Sequence, residues 1–260
     1  MKTVRNLLAA CVPALVLAAC GGGDSLDIAE PGVRLVHASP IATDVSLVRE
    51  SDDTVIVADA AYPYASDYID VDSGLSDWTV RTVVGDLVVD TVTIDAEHGK
   101  KYSVIVAPDS PVTNGAYLVV DPYEKPLGSD STRLRAFNAT YATGAIDVYM
   151  TAVGTNIADP GVNPLIAGVE AKTAGPASGD DSADLPAGDF QVTLAAAGTK
   201  TILFTGKLSI GPDRDLLMVV VPIVPVPGGI QVFAKIEGDP GMTEVMPCAD
   251  SPSPPIPVCS

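Results

Sequence analysis

At 260 residues and 26.6 kDa, with 47% hydrophobic residues, the chain is long enough for one large or two ordinary domains and apolar enough to bury a core. Its 33 acidic residues outnumber 15 basic ones, for a net charge of -18. Charge of that sign repels nucleic-acid phosphates and anionic lipid head groups, so nucleic acid is excluded as a direct partner, whereas cations and basic protein surfaces are not.

The chain opens on a targeting segment. Lys2 and Arg5 precede an apolar run from Leu7 to Ala19, too short for the roughly 20 residues that span a bilayer but as long as a secretory apolar region. It ends in Leu17-Ala18-Ala19-Cys20, followed by Gly21-Gly22-Gly23. This pattern resembles a bacterial lipobox. It makes residues 1–19 a lipoprotein signal peptide and Cys20 the residue that takes palmitate-type lipid and becomes the new N-terminus; an ordinary secretory signal with Cys20 incidental is the alternative. Gly21, rather than Asp, after the cysteine leans towards the outer membrane of a Gram-negative bacterium, with the body on its periplasmic or surface face. Cleavage would remove two bases and no acid. The tether to residue 32 reaches only about 20 Å on average, so the lipid would hold the body close to its membrane.

Beyond the tether, short runs rich in Val, Ile, Thr and Tyr alternate with Gly, Pro and Asp. The expected strands of the first half are Val33–Ser39, Asp44–Arg49, Thr54–Ala58, Tyr68–Val71, Trp78–Val84, Leu87–Ile94 and Tyr102–Ala107. In D-T-V-T-I-D, strict alternation turns Val92 and Ile94 inward and Thr91 and Thr93 outward. No segment has a helical period with caps. The fold class is therefore all-β, with two tandem immunoglobulin-like or transthyretin-like β-sandwich domains over 33–123 and 132–238 and a join near Pro122–Ser131. The second half repeats the first: R-L-V-H-A-S-P-I-A-T-D-V from Arg34 aligns with R-A-F-N-A-T-Y-A-T-G-A-I-D-V from Arg135, which sets His37 on Asn138 and Ser39 on Thr140. Relative to the first copy, Ala152–Ala183 is an insertion, a natural place for a binding surface. Leu216–Pro227, the most apolar later run, is broken by prolines and reads as strand and turn. In the proline-rich tail, 239–260, Cys248 and Cys259 in an oxidising setting are expected to form a disulfide; two thiols without a nearby histidine make a poor metal site.

The opening V-R-L-V-H-A-S-P…D-V (from Val33) resembles domain-of-unknown-function family 4397, whose members read V-R-V-V-H-A-S-P-x-A-P-x-V-D-V-Y and later L-x-A-G-x-Y-x-V. Leu185-Pro186-Ala187-Gly188-Asp189-Phe190-Gln191-Val192 matches the later motif; the first copy has only a degraded version, from Val71 to Val80. The resemblance implies exported sandwiches, often in tandem on anchored envelope proteins, and it implies no activity and no cofactor.

His37 is one of two histidines. A general base should keep an ionisable counterpart, yet its partner in the repeat is Asn138, which can donate and accept hydrogen bonds but cannot shuttle protons. His37, Ser39, Asn138 and Thr140 are thus expected to tie down turns, and His98 to sit solvated in a hairpin. There is no G-x-S-x-G and no H-E-x-x-H. The expected role is a non-enzymatic binding, adhesion or structural one, with an envelope glycan or a protein as partner. A carbohydrate-acting hydrolase built on paired carboxylates and a calcium-dependent module using Asp180, Asp181 and Asp184 stand as alternatives.

Overall fold

The computed structural model describes residues 30–122, 131–248 and 259, and every regular element among them is a β-strand. The signal peptide, Cys20, most of the tether, residues 123–130 of the join and residues 249–258 of the tail lie outside the described residues.

The first half runs through β1 (Gly32–His37), β2 (Val45–Arg49), β3 (Thr54–Ala60), β4 (Tyr64–Ala65), β5 (Ile69–Asp70), β6 (Gly74–Thr82), β7 (Val88–Ala96), β8 (Lys100–Pro108) and β9 (Asn114–Pro122). The second runs through β10 (Ser131–Asn138), β11 (Ile146–Thr151), β12 (Ile166–Val169), β13 (Ala174–Gly175), β14 (Ala183–Pro186), β15 (Gly188–Ala196), β16 (Ile202–Ile210), β17 (Asp215–Pro222), β18 (Ile230–Ile236), β19 (Thr243–Glu244) and β20 (Met246–Pro247).

Four sheets result. The first has the order β4-β1-β8-β9, with β5 also on β1; the second is β3-β2-β6-β7. The third is β13-β10-β17-β18-β19, with β14 also on β10, and the fourth is β12-β11-β15-β16-β20. Each half contains one parallel pair, β1 with β8 (Val33 opposite Tyr102) and β10 with β17 (Arg133 opposite Asp215); the other pairs are antiparallel.

Two of the cores follow the expected alternation. Val33, Leu35, Val45, Leu47, Trp78, Val80, Ile94, Val104 and Val106 fill the space between the first two sheets. Leu134, Ala136, Ile146, Val148, Val192, Leu194, Leu216, Met218 and Val220 fill the other sandwich. On β7, Ile94 is buried and Val92 half-buried while Thr91 and Thr93 are exposed. Most expected boundaries shift by one to four residues; at the end of β6, Val83 and Val84 leave the strand for the turn to β7, where Gly85 and Asp86 take φ of 86° and 49° and Thr82 N–H bonds Leu87 O at 2.9 Å. That bond closes a four-residue loop, Val83 to Asp86, whose last two residues take the left-handed backbone that no strand continues, so the strand ends early.

A third core lies between the sandwiches. Val36, Ile105, Ala107 and Val119 from the outer face of the first sheet meet Phe137, Leu217, Val219, Val221 and Phe233 from the outer face of the third. The strands that supply both faces, β1, β8, β10 and β17, are buried almost throughout. Burying a side chain of the size of Phe137 or Phe233 contributes about 2–3 kcal/mol, so the two sandwiches are joined as a four-layer stack. Lys101 to Glu237 at 2.5 Å and Lys235 to Asp67 at 2.7 Å bridge the seam near the start of β1. The Lys172 amine bridges it at the other end, donating to Pro108 O of the first sandwich and, at 3.0 and 2.9 Å, to Ala139 O and Thr140 O of the second. Equivalent ends of the two sandwiches therefore lie side by side.

Candidate functional site

The His37 corner forms where β1 ends and the chain turns towards β2. The ring is fully buried; Nδ1 accepts Ser39 N–H at 3.3 Å and Nε2 donates to Thr43 O at 3.1 Å. A ring nitrogen that meets an N–H must accept, so the proton resides on Nε2. Burial holds the imidazole below its usual pKa, against the opposing influence of Thr43 and Asp44, and keeps it neutral. Ser39 directs its hydroxyl away from the ring, to Asn114 Oδ1 at 2.5 Å.

The Asn138 corner repeats both of the backbone contacts that His37 makes. Its Oδ1 accepts Thr140 N–H at 3.2 Å and Thr140 Oγ1 at 2.7 Å, and its Nδ2 donates to Gly144 O at 2.9 Å. The donor reaches six residues ahead in both corners. Neutral imidazole offers one N–H and one acceptor on a planar group; the carboxamide offers the same pair and a second N–H, which Asn138 gives to Val169 O at 3.1 Å, so either residue serves. With both nitrogens of His37 occupied by backbone, neither is left to take a proton from a nucleophile. His98 is exposed in the turn between β7 and β8.

The acidic run is organised around arginines. Arg135, 2% exposed, donates to the carbonyls of Pro176 and Ala177 and to the main-chain oxygen of Asp180. Asp184 sits on β14 opposite Arg133, whose guanidinium is held above its usual pKa: burial lowers it, and Asp215, with smaller help from Asp181 and Asp121, more than offsets that. Asp180, Asp181 and Asp184 do not converge: among the described residues no three acids, histidines or cysteines gather as a metal site.

Cys248 and Cys259 lie with Cα atoms 5.2 Å apart and their sulfurs bonded. The bridge draws Cys259 onto the second sandwich, where its N–H bonds Gln191 Oε1 at 3.2 Å; that same oxygen accepts Gly154 N–H at 3.1 Å. Gly206 on β16 must be glycine, since an added Cβ would stand 2.8 Å from the main-chain oxygen of Met246 on β20.

Several important residues escape a reading by motif. Arg34 and Arg135, the aligned first residues of the repeat, both point into the seam between the sandwiches, where they line a small cavity with Tyr68, Lys101, Asp121 and Arg133. Their alignment was the available signal. Asp147 uses both carboxylate oxygens on main-chain amides, Gly168 N–H of β12 at 2.8 Å and Gly198 N–H of the β15–β16 turn at 2.9 Å. At the end of the first sandwich that holds the His37 corner, the β6–β7 turn exposes Val83, Val84, Leu87 and Val88, the last three by 62–77%, and the β8–β9 loop exposes Val112. The 223–229 loop, at the matching end of the second sandwich, exposes Val224 and Val226.

Residues 31–149 match the family model described as Domain of unknown function (DUF4397). The match takes in both the His37 and the Asn138 corners. No curated protein matches the chain.

Proposed function

We propose that the chain is a lipid-anchored protein of the bacterial cell envelope, made of two tandem copies of one sandwich, that binds a protein partner through its end loops rather than converting a substrate. The observation that carries this reading is the use of the motif itself: both ring nitrogens of His37 are spent on backbone, and a non-titrating Asn138 does the same work in the second copy. A motif that builds corners leaves recognition to the loops the corners shape.

The exposed aliphatic turns suit that task. β1 runs from Gly32, next to the tether, to His37; Val83 N–H bonds Asp44 O, which places the β6–β7 turn at the His37 end. A lipid on Cys20 would thus hold the opposite end of the stack, and the turns bearing Val84, Leu87, Val112, Val224 and Val226 would face outward. A chain of this acidity is drawn to a basic partner surface with an apolar centre.

The test has two arms. Cys20→Ala is expected to move the protein from the membrane to the soluble fraction. Val84→Asp with Leu87→Asp, in a surface turn and so harmless to folding, is expected to abolish envelope cross-links of the wild-type protein; unchanged cross-links would overturn the assignment of the end loops.

A further inference from the structure

The seam cavity has a volume of about 30 Å³ and is lined by Arg34, Tyr68, Lys101, Asp121, Arg133 and Arg135, among others. Such a space is enough for a water or a monatomic ion. The cations around it are unequally provided for. Lys101 pairs with Glu237 at 2.5 Å, Arg133 Nε with Asp215 at 2.9 Å, and Arg135 with Asp121. Arg34 is 5% exposed; its Nε donates to Ser103 Oγ at 2.8 Å and its guanidinium lies 4.3 Å from the centre of the half-buried Tyr68 ring. It has no carboxylate partner among the described residues. A serine hydroxyl and an aromatic face offset only part of the cost of taking a guanidinium out of water.

We propose that this cavity is a binding site for one small monovalent anion of chloride size, held by Arg34 and shared between the sandwiches. The acids that line the cavity are each engaged by an arginine, so they do not answer the charge of Arg34, which lines the same cavity. A cation is repelled by the arginines. Occupancy adds a bond between two sheets that otherwise meet through apolar side chains and a few ion pairs, so the anion contributes to holding the stack together.

The experiment compares thermal unfolding of the intact chain in chloride, bromide and gluconate at constant ionic strength, which removes general screening of the acidic surface. Halides are expected to raise the melting temperature by about 3 °C over gluconate. Crystals soaked in bromide should show an anomalous peak beside Arg34. Arg34→Met should lose the halide increment, while Arg49→Met, which breaks a surface pair with Asp52, should keep it. If Arg34→Met does not fold, the bromide peak and the halide series on the wild-type protein decide alone. Equal melting in gluconate and halide, with no peak, would mean that the cavity holds water only. A peak without any halide dependence in solution would mark an adventitious ion only, and either result overturns the site.

Discussion

Replacing His37 separates its two conceivable roles. His37→Ala removes a fully buried ring, leaves Ser39 N–H without its acceptor in a buried setting, frees Thr43 O, and empties the edge-on contact with Tyr62 at 5.9 Å between ring centres. Loss of two hydrogen bonds at about 1 kcal/mol each and a partly collapsed cavity bring the cost to about 3–4 kcal/mol. His37→Asn keeps one donor and one acceptor, as Asn138 does in the other corner, and is expected to cost about 1 kcal/mol. The pH dependence sharpens the comparison. The folded imidazole has its pKa held below 6.5 by burial, so the unfolded chain binds the extra proton first. The contribution to stability is complete above pH 6.5 and is lost as pH falls through the folded pKa. The wild-type protein should therefore lose stability on acidification through that window by an amount that His37→Asn does not. Urea unfolding followed by the fluorescence of Trp78, the chain's single tryptophan and 1% exposed in the first core, reads the affected sandwich directly. Equal losses for the Ala and Asn variants, or an unchanged pH slope in His37→Asn, would refute the corner mechanism.

Phe137→Ala, in the core between the sandwiches, is expected to cost about 3–4 kcal/mol and to split a single unfolding transition into two, seen as Trp78 fluorescence parting from far-ultraviolet circular dichroism. Lys172→Met removes one N–H bond across the seam, to Pro108 O, and two within the second sandwich, for about 2 kcal/mol at pH 7. Burial brings that amine from 10.5 down to about 8, so wild-type stability should rise with pH between those values, and the variant's should not. Gly206→Ala should push β20 off β16 for about 1–3 kcal/mol. Reduction of the Cys248–Cys259 bridge, which closes a separation of 11 residues, should cost the wild-type protein up to about 3 kcal/mol and the Gly206→Ala variant much less, both read as melting temperatures with and without reductant.

Strand content, sandwich pairing and the location of both corners are legible in the chain itself, because they rest on local rules: the two-residue period of strands, the turn preference of Ser39-Pro40, and the hydrogen-bonding equivalence of His37 and Asn138. The same local logic anticipated that Cys248 and Cys259 would meet and that His98 would lie in a hairpin turn. What only the tertiary structure decided is the third core and everything it brings together. Its trace was present, since V-I-V-A on β8 and L-L-M-V-V-V on β17 do not alternate, and unbroken apolar strands are covered on both faces. That pattern states that a second face is buried but not against what. Arg34 and Arg135 meet at one cavity, and Lys172 spans Pro108 and Thr140, only because two sheets far apart in the chain pack face to face. Such contacts are set by the fit of two surfaces, which no periodicity along the chain records.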